Sequence, residues 1–214
     1  MKQFCFYLLK IIFIVLLVSI TFDKLYTYVY YEYTNTNRFQ YIRNQKNKKF
    51  DYLFLGSSRV VNDVNPNIID SLLNVKTINF GVMDARPKDI LTILNLLKAY
   101  NIQSDKVFIQ TDYYYNNTGK SNFLYVEMLP YINENNIISN YYSKDNDFFE
   151  LKYLPFYRYS KNNFNLGIRN LISSTLKKEN VLNSTQGFEP LFGNETSFWV
   201  RELPRKIVKN NKHN

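Results

Sequence analysis

The sequence predicts an α/β fold with a parallel sheet, preceded by an apolar amino-terminal helix. Three observations point to this fold class. Short apolar segments alternate with helical patterns between residues 50 and 112, the first segment ends in a glycine, and residues 4–22 are almost entirely apolar. Strands that alternate with helices at this spacing favour parallel strands joined by right-handed crossovers.

The amino-terminal stretch predicts a transmembrane anchor over residues 1–25. Its continuous apolar part, 11–22, is short for a span, but residues 4–9 extend it to a sufficient length, with the Lys10 ammonium reaching the headgroups. A cleaved signal peptide is the alternative, because lysines precede a compact apolar core. No small-residue cleavage site follows, and the tyrosines of 26–33 resemble an interfacial aromatic belt. We therefore favour an uncleaved signal-anchor.

The positive charge lies at the two ends of the chain. The formal net charge is +9, yet residues 1–50 hold eight basic against two acidic residues and residues 201–214 hold five against one. Residues 51–200 hold 14 basic and 15 acidic residues, so no basic face is expected there and nucleic acid is excluded as a partner. The basic ends suit anionic lipid headgroups. Residues 26–49 are interpreted as a connector between anchor and domain.

The chain is organised around residues 50–60, where an apolar strand runs into a turn of one glycine and two serines. The aromatic-rich run 52–55 suits a central strand that is buried on both faces. Gly56 allows a sharp turn at the end of the strand. Ser57 and Ser58 then lie at the carboxyl edge of the sheet, where open α/β folds bind ligands, so a serine there is a candidate nucleophile. Alternatively, both serines only cap the next helix.

The later elements follow the same alternation up to residue 112. They are a helix over 66–73 capped by Asn65, a strand over 77–82, a helix over 86–100 and a strand over 106–111. Residues 113–200 lose the alternation and predict a mixed, mainly helical insertion, with helices expected over 125–138 and 166–178. This insertion is expected to pack over the carboxyl edge, where it either shapes a substrate site or simply covers apolar surface.

The turn Gly56-Ser57-Ser58 resembles the first motif block of the SGNH, or GDSL-like, hydrolases and acyltransferases. In that family a strand ends in Gly-Asp-Ser and the serine is the nucleophile. Ser58 has the nucleophile position, and Ser57 replaces the usual aspartate. The serine form is similar to membrane-anchored bacterial branches that act on cell-envelope polymers. The resemblance covers about residues 50–115 and implies a three-layer, flavodoxin-like parallel sheet, which makes residues 50–214 an SGNH-like domain.

Two further strand ends resemble blocks of the same family. Gly81 matches a glycine whose backbone N–H helps to form the oxyanion hole, although a glycine that merely ends a strand explains it equally well. Asp112 stands where the family has an asparagine that donates to the oxyanion. An ionised aspartate cannot donate, so Asp112 is protonated, orients another group, or only caps a turn.

The last block of the family, Asp-x-x-His, has no match in this sequence. The only histidine is His213, in a polar tail, and Asn210 stands three residues before it. Without a base, a serine is a poor nucleophile at neutral pH. We therefore expect a truncated product or a fragment of a longer protein. A single cysteine, Cys5, and a single histidine offer no Cys- or His-rich metal site, and no glycine-rich phosphate loop indicates a cofactor.

The resemblance implies a single-pass protein of the cell membrane with an extracytoplasmic domain. Its expected function is that of an acyl esterase or O-acyltransferase for cell-envelope glycans or glycolipids. The implied partners are the lipid bilayer, a glycan or glycolipid acceptor and a membrane protein that passes on the acyl group. Because the base is missing, we expect this chain to be inactive. The alternative is a non-catalytic, membrane-tethered binding or assembly protein.

Overall fold

A computed structural model describes residues 2–32, 37–111, 119–176 and 181–191. Three strands and twelve α-helices make up this part of the chain. In order they are α1 (Lys2–Glu32), α2 (Arg38–Arg43), β1 (Lys49–Leu55), α3 (Ser58–Asp63), α4 (Pro66–Leu73), β2 (Thr77–Asn79), α5 (Pro87–Ala99), β3 (Gln103–Ile109), α6 (Asn122–Met128), α7 (Asn136–Tyr142), α8 (Phe148–Tyr153), α9 (Tyr157–Lys161), α10 (Asn163–Leu166), α11 (Ile168–Leu176) and α12 (Val181–Ser184), with a 3₁₀ turn at Leu129–Tyr131.

The three strands form one parallel sheet in the order β2-β1-β3. Leu53 at its centre is level with Ile78 on one side and Val107 on the other. The predicted α/β class and the central place of β1 are therefore confirmed. The strand is buried on one face only, because Leu53 and Leu55 are enclosed whereas Tyr52 and Phe54 are half-buried.

Strand bounds differ from the predicted ones at the carboxyl ends of β2 and β3, and β3 begins at Gln103 and not at residue 106. β2 ends at Asn79 and β3 at Ile109, although apolar residues continue beyond β2. Helices α4 and α5 begin and end close to the predicted residues, and the Asn65 side chain caps α4 by accepting from the Asn67 N–H at 3.1 Å. Ladder pairing, which the sequence does not display, decides where a strand stops.

Helix α1 is long and apolar enough to cross a membrane. It continues ten residues past Phe22 and enters the domain, where Tyr26 and Tyr30 are buried. Their rings pack on Tyr159, at centroid distances of 5.3 and 5.9 Å. This differs from the expected interfacial belt, because residues four apart share one helix face and that face lies on the domain.

The segment expected to be a polar connector contributes to the core. Phe39, Tyr41 and Ile42 of α2 are buried. The Phe39 ring packs on Tyr131 of the 3₁₀ turn at 4.9 Å, and the Tyr41 ring packs on Phe80, the residue after β2, at 5.8 Å. Gln40 is buried as well, and its amide is satisfied because it donates to the Tyr31 carbonyl and accepts from the Tyr131 hydroxyl, at 2.9 and 2.7 Å. Polar composition was misleading here because a buried polar side chain is stable once its partners are in place.

Residues 119–176 and 181–191 supply the predicted helical insertion. The helix expected over 125–138 is two helices, α6 and α7, separated by the 3₁₀ turn at Pro130. Proline lacks an N–H and interrupts a helix interior, which accounts for the break. The helix expected over 166–178 corresponds to α11.

Candidate functional site

Ser58 is the first residue of α3, immediately after the turn that follows β1. Gly56 permits this turn by its lack of a side chain and not by an unusual backbone angle, since its φ is not positive. A Cβ at this position would lie 2.5 Å from the Gln110 amide oxygen and would also collide with the Val60 side chain. The glycine is therefore required for the close approach of β1, α3 and β3.

The two serines of the turn have different surroundings. Ser57 donates both its N–H and its hydroxyl to the Gln110 amide oxygen, at 2.9 and 3.0 Å. Ser57 occupies the N-cap position of α3, but its side chain makes no capping bond. The Ser58 side chain is half-buried, and no residue in the described ranges hydrogen-bonds its hydroxyl. Ser58 is thus the hydroxyl that is available for chemistry.

Gly81 lies beside α3, because the residues after β2 continue to follow β1. The Phe80 N–H donates to the Phe54 carbonyl at 2.8 Å, and a Cβ at Gly81 would lie 2.8 Å from the Val61 nitrogen. The Gly81 N–H itself donates to Asn79 Oδ1 at 2.9 Å. An oxyanion would have to displace this acceptor before the N–H could stabilise it.

Asn79 is a polar residue that the sequence analysis did not single out. It is fully buried, and its amide nitrogen donates to the Val60 and Val64 carbonyls at 2.5 and 2.8 Å. Together with the bond from Gly81, these contacts fix the carboxyl end of α3 against β2. Asn79 is the last residue of β2, and a polar residue at the end of a strand was the signal that the sequence offered for this role.

Asp112, the third predicted site residue, lies outside the described residues. Gln110 is the side chain of the same segment that reaches the serine turn, through Ser57. Its backbone N–H also donates to the Leu55 carbonyl at 2.8 Å, which extends β3 pairing to the edge of the sheet. The role of Asp112 in an oxyanion hole stays a prediction.

The described residues include no histidine, and their most buried aspartate is already saturated. Asp89 accepts from the Tyr141 hydroxyl at 2.5 Å and from the N–H groups of Arg86 and Ser121 at 2.8 Å each. Burial raises the pKa of Asp89, and these donors oppose the rise. Such a carboxylate anchors the start of α5 and is poorly suited to accept a proton from Ser58. No group of three or more metal-ligating side chains occurs within the described ranges.

A cavity of about 670 Å³ lies between α1, α6, α10 and α11. Amides, hydroxyls and aromatic rings dominate the part of its wall that the described residues form, and Glu127 is the one formally charged residue among them. No described residue hydrogen-bonds the side chains of Asn122 and Asn165. Amides both donate and accept, and flat rings present apolar faces, so this wall suits a neutral polyhydroxylated ligand. The lining residues are Tyr30, Asn37, Asn122, Phe123, Tyr125, Val126, Glu127, Asn162, Asn165, Leu166, Asn170 and Ser173.

Glu127 in the wall of this cavity has an altered acidity. Burial of its carboxyl group raises the pKa of Glu127 to about 7, although the Phe39 N–H, which donates at 3.1 Å, and the Arg38 guanidinium oppose the rise. A carboxyl group that titrates near neutral pH in a cavity is a functional-site candidate. The sequence analysis missed it, yet one glutamate within the apolar run 123–129 was a visible signal.

Arg38 connects the cavity wall to the sheet. Its guanidinium is buried and donates to the Gly187 carbonyl and to the Glu189 carboxylate, at 2.5 Å each. It also lies 3.4 Å from the Asn79 carbonyl oxygen. Burial lowers the pKa of Arg38, while Glu189 and Glu127 oppose this change. Arg38 therefore lies between Glu127 of the cavity wall and Asn79, whose side chain holds α3.

Comparison with known proteins leaves the family open. No family model, no curated protein and no solved structure matches the chain. The two candidate sites of the described residues are the serine turn at the carboxyl edge of the sheet and the polar cavity beside α1.

Proposed function

We propose that the chain is a membrane-anchored, SGNH-like protein of the acyl esterase or O-acyltransferase type, directed at cell-envelope glycans or glycolipids. The observation that carries this proposal is the placement of Ser58. A parallel strand ends, the chain turns, and a serine with no hydrogen-bonding partner among the described residues begins the next helix. Nucleophilic serines of α/β enzymes are presented in this way.

The proposal includes a single membrane span by α1 and a domain outside the cytoplasm. The length and apolar character of α1 support the span. The near-neutral charge of residues 51–200 suits a domain that faces a glycan surface and not nucleic acid. The extracytoplasmic side follows from the family resemblance of the serine turn.

The described residues supply no base for Ser58, so turnover by these residues alone is not expected. Loss of the histidine from a Ser-His pair costs nearly as much rate as loss of the whole triad. The purified full chain should therefore hydrolyse a chromogenic acetyl ester no faster than Ser58→Ala. It should also resist labelling by a fluorophosphonate probe.

An external base can test whether Ser58 is positioned as a nucleophile or is an ordinary surface serine. In a high concentration of imidazole, the wild-type protein should be labelled by the probe at Ser58, whereas Ser58→Ala should stay unlabelled. Ser57→Ala is the matched control, and it should keep the labelling because Ser57 is held by Gln110. Equal labelling of wild type and Ser58→Ala under these conditions would contradict the nucleophile assignment.

A second candidate function is non-catalytic binding of an envelope glycan, and the polar cavity favours it. The cavity has room for about one or two sugar rings, judged against ordinary ligand pockets. The amides and rings that the described residues contribute to its wall are neutral, and Glu127 is the exception among these residues. This function requires no base, so it is compatible with everything that surrounds Ser58.

Binding can be measured with soluble neutral oligosaccharides, with and without N-acetyl groups, by titration calorimetry of the full chain in detergent. Saturable binding should be lost in the double variant Asn122→Ala, Phe123→Ala and retained in Ser58→Ala. Both substituted side chains are exposed, so folding should be preserved. Binding that survives in the cavity variant would exclude the cavity as the glycan site.

A further inference from the structure

We infer that the corner between α8 and α9 forms a second membrane contact, which rests in the headgroup region beside α1. The corner consists of Phe149 and the segment 153–158, and its proposed partner is the lipid bilayer itself. This inference rests on the membrane span that is part of the proposed function. It adds a fixed orientation of the domain relative to the bilayer.

The position of the corner relative to the bilayer follows from the length of the apolar part of α1. Residues 4–22 are apolar apart from Lys10, Ser19 and Thr21, and at 1.5 Å per residue they span about 28 Å, close to the thickness of a bilayer core. The boundary of the hydrocarbon region therefore falls near Phe22 and Asp23. Any element that packs on α1 at these residues lies at the level of the headgroups.

The corner packs on α1 at this boundary. The Phe156 ring lies 5.9 Å from the Phe22 ring, and the Phe156 N–H donates to Asp23 Oδ1 at 3.0 Å. Arg158 donates to Asp23 Oδ2 at 2.9 Å, and both partners of this ion pair are largely buried. These contacts hold the corner at one position along α1.

The outward side of the corner is apolar and aromatic. Phe149, Tyr153 and Leu154 are 69%, 59% and 49% exposed, and the two rings lie 5.2 Å apart. Exposed apolar residues are costly in water unless another surface covers them. At the level of the headgroups, the bilayer interface covers them without a further protein.

The charges around the corner agree with a lipid surface. Lys24 is exposed and lines a small cavity of about 110 Å³ together with Ile20, Tyr153 and Leu154, whereas Lys152 in the same wall donates to the Ser139 hydroxyl at 2.7 Å. An exposed lysine beside aromatic residues is typical of membrane-interface anchors, since the rings enter the headgroup layer and the ammonium group meets lipid phosphates. Leu72 of α4 is exposed as well, but its helix packs on β2.

The depth of single probes in proteoliposomes tests this inference with the full chain. Cys5 is the only cysteine, so a Cys5→Ser background accepts one environment-sensitive fluorophore at Tyr153→Cys. In vesicles of neutral and anionic lipids, its emission should shift to the blue. Lipids with a quencher near the headgroup should remove most of this emission, and lipids with a quencher near the chain end should remove little.

Two further probes separate the possible failures. Leu72→Cys is the matched control, because Leu72 is apolar and 76% exposed, and its probe should behave as in water. A probe at Ile12→Cys should be quenched most by the deep quencher. If the Ile12 probe is buried in lipid but the Tyr153 probe is not quenched, the span stands and the second contact is wrong. If the Ile12 probe is also unquenched, the span itself is wrong.

A protein partner gives a different result from lipid. A blue shift at Tyr153 without quenching by either lipid would mean that another polypeptide covers the corner, and this would overturn the inference. If such a shift disappears when the protein is diluted in excess lipid, the cover is a second copy of this chain. Quenching that is independent of protein density supports the bilayer as the partner.

Discussion

The two edge strands of the sheet have contrasting surroundings. On the β2 side, the Asn79 N–H donates to the Gln186 carbonyl at 3.0 Å, and Gly187 lies directly against the strand. On the β3 side, no described segment pairs with the outer edge, and three consecutive apolar residues, Val107, Phe108 and Ile109, are exposed. Both strands carry apolar side chains, so the difference in exposure depends on whether a later segment of the chain packs on the strand.

The closed edge is sealed by a segment more than a hundred residues away in sequence. Arg38 holds this segment through the Gly187 carbonyl and Glu189, and Gln186 donates to Asp70 at 3.1 Å. Exposed strand edges tend to pair with other chains, which makes such a seal useful. The exposed edge of β3 shows that apolar composition alone does not bury a strand.

The largest expected effect comes from two residues on the same rung of the sheet. Ile78 in β2 and Val107 in β3 are both level with Leu53, yet they are 2% and 42% exposed. Ile78→Ala should lower the free energy of unfolding by about 2–5 kcal/mol, because it leaves a cavity, and Val107→Ala by less than about 1 kcal/mol. Denaturant unfolding in detergent measures both. Equal losses would mean that the edge of β3 is covered.

A smaller effect is expected when the seal on β2 is opened. Gly187 has a φ of +88°, and a Cβ there would collide with the Asn79 carbonyl oxygen. Gly187→Ala should therefore destabilise the protein by roughly 1–3 kcal/mol. Gly119→Ala is the matched control, since its Cβ would meet only the flexible Arg86 side chain. Thermal unfolding of the two variants should differ, and similar melting temperatures would argue against the seal.

A further effect depends on pH and concerns the carboxyl group next to Arg38. The pKa of Glu127 rises from 4.5 to about 7 on folding, so Glu127 contributes stability below pH 4.5 that is lost as the pH rises through 7. Glu127→Gln should therefore gain stability relative to wild type as the pH increases over this range. Glu150→Gln controls for the loss of one negative charge. Parallel melting curves for wild type and Glu127→Gln at every pH would contradict the raised pKa.

The local elements could be predicted because their signals lie within a few residues. Asn65 and Pro66 mark the start of α4, and the Gly-Ser-Ser turn marks the end of β1.

The candidate site was harder to predict from the sequence than these local elements. Ser58 is placed as a strand-turn-helix serine, Gly81 lies next to α3 but has its N–H occupied by Asn79, and Gln110 reaches the turn in the segment that includes Asp112. Hydrogen-bond occupancy depends on side chains that converge from three strands.

Local sequence signals were enough to predict the apolar amino-terminal helix, the alternation of strands and helices, and the serine at the end of the first strand. Each follows from periodicity, caps and turn residues, which act over a few positions. The tertiary structure alone decided that α2 enters the core, that Tyr26 and Tyr30 face the domain, and that β2 is covered while β3 is exposed. These outcomes depend on which distant surfaces meet, because burial and polar satisfaction are properties of contacts between segments and not of the segments themselves.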